Sequence, residues 1–162
     1  MAQIHRLHVQ EELKNCSADQ FYGFITNDMA KMPQVIPHMF KSFEILSGDG
    51  KSVGTVRLSK YAIGSSRHEE IVKDKITAVD DENRVLSISV IEGDVLRMYP
   101  KWEYTMTVSP IATQGGERSC LVKLAVEYEK RDEDVPVPNE YMKMATFMNK
   151  AIASHLGLAN KA

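Results

Sequence analysis

Between residues 41 and 129, apolar and polar positions alternate in short runs separated by turn signals. Runs rich in Val, Ile, Thr and Tyr at 41–47, 53–62, 68–79, 84–92, 95–109 and 118–129 read as β-strands. The turns between them are Gly48-Asp49-Gly50, Gly64-Ser65-Ser66, Asp80-Asp81-Glu82-Asn83, Gly93-Asp94 and Gly115-Gly116. Such short gaps suit antiparallel neighbours, because parallel strands need crossovers of about a dozen residues or more. A less regular alternation over 3–14 adds a seventh strand.

The remaining segments follow a helical period. Ser17 stands three residues before Gln20, a capping-box spacing, and Phe21, Phe24, Ile25 and Met29 follow, which predicts a helix over 18–28. A second short helix over 33–38 is bounded by Pro33 and Pro37. After the charged stretch 129–134 and Val135-Pro136-Val137-Pro138, apolar residues recur at Tyr141, Met144, Ala145, Met148, Ile152 and Leu156. They predict one amphipathic helix of about 20 residues, with Gly157 as its stop. Its apolar stripe needs a cover, and the sheet is the only large partner. The fold class is therefore α+β, one domain over 1–162, with an antiparallel sheet curled around a long C-terminal helix.

That architecture implies a cavity. A long-stranded sheet twists and coils, while a helix is only about 10 Å across. The concave face left over must be filled by large side chains or stay hollow. Aromatic residues make up only 7% of the chain, and the long helix carries the adaptable side chains Met142, Met144 and Met148.

Composition narrows the function classes. With 43% apolar and 26% charged residues over 162 positions, the chain has an ordinary globular make-up. Its net charge of -2 supplies no basic field, which argues against nucleic acid as partner. No apolar run approaches the ~20 residues of a membrane span. The opening Met1-Ala2-Gln3-Ile4-His5-Arg6 lacks the apolar core of a secretory signal, so a cytoplasmic location is expected. The two cysteines, Cys16 and Cys120, are then expected as free thiols. His5, His8, His38, His68 and His155 are scattered, without metal-ligand spacing, so no metal or cofactor is expected. The pairs Glu69-Glu70 and Asp80-Asp81 are sequence neighbours, whose side chains diverge on a strand. The loop 48–54 lacks a Gly-Lys-Ser/Thr opening a helix and reads as a glycine-rich turn rather than a phosphate loop.

Four strings occur in an order that resembles a known family. They are Gly48-Asp49-Gly50-Lys51-Ser52-Val53-Gly54-Thr55, then Ala78-Val79-Asp80 with Asp81-Glu82-Asn83, then Ser89-Val90-Ile91-Glu92-Gly93-Asp94, and Val126-Glu127-Tyr128-Glu129-Lys130. The chain resembles the major latex proteins, a branch of the plant pathogenesis-related class-ten and pollen-allergen superfamily. The resemblance implies a helix-grip fold: seven strands, two short helices forming a V, and a long C-terminal helix over an internal cavity. It implies binding of small hydrophobic or amphipathic plant molecules of steroid, flavonoid, hormone or alkaloid class. It also implies a role in defence and a monomer or weak dimer.

Family positions and strand alternation together nominate the cavity wall. Trp102, Tyr104 and Met106 share one face of the sixth strand, and Leu86, Ile88 and Val90 one face of the fifth. Ser59 and Tyr61 match inward positions of the third strand and Ile71 of the fourth. Met32 and Phe40 match positions around the V, and Tyr141, Met144, Ala145 and Met148 the helix side. On the last strand, Lys123 and Ala125 match inward positions. A lysine desolvated by an apolar cavity suits acid–base work, and norcoclaurine synthase, a catalytic relative, carries a lysine after a similar Ser-Cys-x-x-Lys string. The acidic and tyrosine partners of that enzyme align here with Thr105 and Thr107.

Three function classes stand at this level. One is a non-catalytic binder or carrier of a small molecule. A second is a cofactor-free enzyme of plant specialised metabolism, performing lyase, isomerase or condensation chemistry with Lys123 as acid or base and Tyr61 or Tyr104 assisting. A third is a signalling module with a gate loop at 64–66.

Overall fold

In the computed structural model, residues 3–64, 68–111 and 118–161 are described, with side chains through 158. The alternating runs become β1 (His5–Lys14), β2 (Phe40–Ser47), β3 (Val56–Ile63), β4 (His68–Asp80), β5 (Val85–Gly93), β6 (Lys101–Pro110) and β7 (Ser119–Glu129). All seven join one antiparallel curved sheet in the order β1-β7-β6-β5-β4-β3-β2. Every neighbour pair except β1–β7 is consecutive in the chain, so short turns suffice between them. The turn at 115–116 and Ser65 and Ser66 of the expected gate loop lie outside the described residues.

The long connection from β1 to β2 runs between opposite edges of the sheet and carries both short helices, the expected V. In α1 (Ala18–Asn27) the capping box is complete: the Ser17 hydroxyl accepts from the Gln20 N–H at 3.1 Å, and the Gln20 side chain accepts from the Ser17 N–H at 2.9 Å. A 3-10 turn, Met29–Lys31, then leads into α2 (Met32–Val35), with Pro33 inside its first turn. The second helix is thus shorter and begins earlier than its prolines suggested.

α3 (Asn139–Lys161) lies against the sheet and both short helices. It does not stop at Gly157. A Cβ there would sit 3.1 Å from the Asn15 Cβ, so this glycine serves a close approach between helix and turn rather than a C-cap.

Two strands start later than their apolar pattern suggested. Val53, Gly54 and Thr55 belong to the turn before β3, and Asp94–Arg97 form a 3-10 helix before β6. Both segments are tied down by aspartates. Asp49 accepts from the N–H groups of Lys51 and Ser52 at 2.9 and 2.7 Å, which rules its loop out as a phosphate cradle, because a carboxylate already occupies those donors. Asp94 accepts from the Ile71 N–H at 2.8 Å, beside the point where Gly93 pairs with Val72.

Cys16 and Cys120 are fully buried free thiols, hydrogen-bonded sulfur to sulfur at 3.8 Å. Among the described residues, no helix is long and apolar enough to cross a membrane.

Candidate functional site

Between α3 and the concave face of the sheet lies a cavity with about 160 Å³ of space that the centre of a water molecule can occupy. One water needs only about 10–15 Å³ by that measure, so the void is an order of magnitude larger. Its wall is built as strand alternation requires: Arg57, Ser59 and Tyr61 from β3, Val72 and Asp74 from β4, Leu86, Ile88 and Val90 from β5, Trp102, Tyr104 and Met106 from β6, and Leu124 and Val126 from β7. From the helices come Ile25, Tyr141, Met142, Met144, Ala145, Met148, Asn149 and Ile152. Phe40, Met29 and Val95 complete it. Tyr104, Met106, Met144 and Met148 line the void and stay partly accessible.

Of the nominated wall residues, thirteen face the void, and four do not. Lys123 and Ala125 belong to the outer face of β7, whose inward residues are Val122, Leu124 and Val126. The run Cys120–Val126 is apolar at both phases, so alternation alone could not orient it. Solvation does: a lysine outward keeps its water, whereas inward it would lose it. Lys123 is exposed opposite Thr107 of β6. Ile71 is likewise outward, 47% exposed, and Val72 and Asp74 take the inward phase of β4. Met32 is fully buried but packs into the core around α1 rather than lining the void. Lys123→Met should therefore leave cavity binding and any turnover unchanged and alter stability by no more than ~0.5 kcal/mol; a ligand titration and a thermal melt check this.

Alternation missed the most polar part of the wall. Arg57 and Asp74 lie directly opposite each other on β3 and β4. The guanidinium donates from Nε to Asp74 Oδ1 at 2.7 Å and from Nη2 to Oδ2 at 3.1 Å, with both side chains only 6% exposed. Nη2 also reaches the Tyr104 hydroxyl at 3.5 Å, and the guanidinium lies 5.7 Å from the centre of the Phe43 ring. The available signal was an arginine and an aspartate at inward positions of consecutive strands. Placing Ile71 inward hid it.

The tyrosines divide into two roles. Burial pushes the Tyr104 hydroxyl up to about 12, and burial reinforced by Glu70 raises Tyr61 as well. Both therefore remain protonated near neutrality and serve the cavity as hydrogen-bond donors, not as bases. Tyr141 instead donates to Glu70 Oε1 at 2.6 Å, latching the first turn of α3 to β4, while its ring packs on Trp102 with centroids 5.4 Å apart. Its hydroxyl is thereby committed to Glu70.

Asn149 supports the helix side. Its Nδ2 donates to Glu11 Oε1 at 3.2 Å, and Glu11 Oε2 is buried with no partner among the described residues. Burial raises the Glu11 carboxyl above its ordinary 4.5, with Asn149 and Lys150 pulling it partly back. A carboxyl raised on folding contributes stability below its unfolded value and loses that contribution as pH rises through the folded one. Glu11→Gln should thus raise the melting temperature at pH 7 and lose that advantage by pH 4, as paired melts would show.

Beside the cavity, and sharing Met144 with it, is a second depression bordered by His38, Ile63, Gly64, Glu140, Lys143 and Phe147. His38 thus stands at an outer recess, edge-on to Phe147 at 6.1 Å, and not in the main void. Among the described residues, no three His, Cys, Asp or Glu side chains converge as a metal site would require.

A strongly curved sheet gripping a long C-terminal helix around a hollow defines the helix-grip class. The chain belongs to the pathogenesis-related protein Bet v 1 family, whose model matches residues 6–159. Within that family it is similar to the major latex proteins: it is 32% identical to major latex protein 146 of Papaver somniferum, over 91% of this chain and 89% of that one. The crystal structure of ginseng major latex-like protein 151 from Panax ginseng superposes with a TM-score of 0.82 at 24% identity, over 94% of this chain and 97% of that one. Norcoclaurine synthase from Thalictrum flavum superposes with a TM-score of 0.74 at 27% identity, over 96% and 87% of the two chains. The same fold therefore also houses an enzyme.

Proposed function

We propose that the protein is a non-catalytic binder or carrier of one small hydrophobic or amphipathic molecule held in the cavity. The observation that carries this reading is the wall itself: aliphatic, aromatic and methionine side chains surround the void, and a few polar groups are placed to orient a guest. Methionines at 29, 106, 142, 144 and 148 can repack around guests of different outline. The ligand class follows the family resemblance: a plant steroid, flavonoid, hormone or alkaloid, with defence as the setting and the cytoplasm as the place.

A neutral fluorescent apolar probe should bind at one site per chain and be displaced by plant steroids or phenolics. Absence of any uptake at high micromolar probe would overturn the reading. An enzymatic reading keeps Tyr61 and Tyr104 as donors. It loses its expected acid or base, since Lys123 faces outward. Nothing in the wall favours it over a binder.

A further inference from the structure

We propose that Arg57, Asp74 and Tyr104 form a hydroxyl-reading subsite, which selects an uncharged alcohol or phenol and rejects a carboxylate of the same skeleton. This rests on the reading of the cavity as a ligand site and names the chemistry of its guest.

Both members of the ion pair line the void and are more than nine-tenths buried. A guanidinium has five N–H donors. Here Nε and Nη2 are committed to Asp74 and Tyr104, and Nη1 has no protein acceptor among the described residues. Nη1 is not fully buried either, since among the described residues Glu11 Oε2 is the one fully buried side-chain N or O atom without a partner. The open edge of Arg57 therefore meets the cavity.

Each Asp74 oxygen accepts one hydrogen bond from Arg57 and keeps a further lone pair. Tyr104 receives from Arg57, which leaves its own O–H to donate. The subsite thus offers donors and an acceptor side by side, as a hydroxyl that both donates and accepts requires. A hydrocarbon satisfies neither. A carboxylate brings a charge that the pair cannot balance, because Asp74 already neutralises Arg57 at 2.7 Å, and a desolvated excess charge is costly. Ser59 adds a further small polar group on the same strand face.

The test uses the full chain, a neutral apolar fluorescent probe, and three competitors on one skeleton: fluorene, 9-fluorenol and fluorene-9-carboxylate. The expected order has 9-fluorenol displacing the probe at least about tenfold more tightly than either other compound, as hydrogen bonds to charged groups warrant. In the double variant Arg57→Met, Asp74→Leu, which leaves no buried charge unpaired, direct titration should show fluorene equalling or surpassing 9-fluorenol. Equal affinities in the wild-type chain, a preference for the carboxylate, or an unchanged order in the double variant would each overturn the subsite while leaving the cavity reading intact. Failure of the probe to enter at all would overturn both.

Discussion

Arg57→Met is expected to destabilise the protein by about 3–5 kcal/mol, a fall in melting temperature on the order of 10 °C or more for a chain of this length. The cause is what remains. Asp74 is 4% exposed and takes both of its strong hydrogen bonds from this one guanidinium. Without it, a buried carboxylate is left in a largely apolar wall without its counter-charge. Desolvation works against the Arg57 charge, but Tyr104 and Asp74 outweigh it and raise its proton affinity, so the arginine is charged at every accessible pH. Removing both charges tells the cost of an orphan from the worth of the pair. Arg57→Met with Asp74→Leu should recover most of the loss, since buried pairs and well-packed apolar replacements are often equivalent. Urea denaturation of the two single variants and the double closes the cycle. A double variant as unstable as Arg57→Met would mean that the pair also holds β3 and β4 in register.

Gly93→Ala is the second large effect, about 3 kcal/mol by the same measurement. Gly93 has φ +139°, a conformation that L side chains avoid. A Cβ there would run into the Ile71 carbonyl oxygen and stand 2.9 Å from the Val72 Cα. Strain of about 1–3 kcal/mol joins an overpacking cost of about 1–3 kcal/mol, and because the overlap is with backbone, no rotamer change relieves it. The disturbance falls beside the hydrogen bond from Ile71 to Asp94 and beside Val72 and Val95 of the cavity wall. Probe affinity should therefore fall together with stability. A variant as stable as the parent would refute this account of the glycine.

This glycine also explains why the string 89–94 was so legible. A strand end, a residue that must be glycine, and an aspartate that caps the neighbouring strand's N–H are each tied to one residue type, so they survive as letters although their contacts are with β4. The capping box at Ser17 and Gln20 survives likewise. The capping box is read correctly because its two partners lie three residues apart, whereas Gly93 and Asp94 read only as a turn, since their partners Ile71 and Val72 lie more than twenty residues back. The strand starts before Val56 and Lys101 were misplaced because apolar residues there belong to a turn and a 3-10 helix whose shape depends on contacts farther off.

The chain's pattern of polar and apolar residues was enough to determine seven strands, two short helices, a long C-terminal helix and the hollow between them. Period and turn chemistry are local, and one helix cannot fill a curled sheet. It determined the inward faces of β5 and β6 as well, where polar and apolar residues alternate cleanly; on β3 the inward Ser59 and Tyr61 came from the family resemblance. Tertiary structure alone decided the phase of β4 and β7. Ile71 and Val72 are adjacent apolar residues, and Cys120–Val126 is apolar throughout except for one lysine. A one-residue shift in such a run exchanges the faces without changing the pattern. Packing against α3 and the solvation of Lys123 settled β7. The meeting of Arg57 with Asp74 settled β4, and it replaced an expected lysine with a buried ion pair as the polar feature of the cavity.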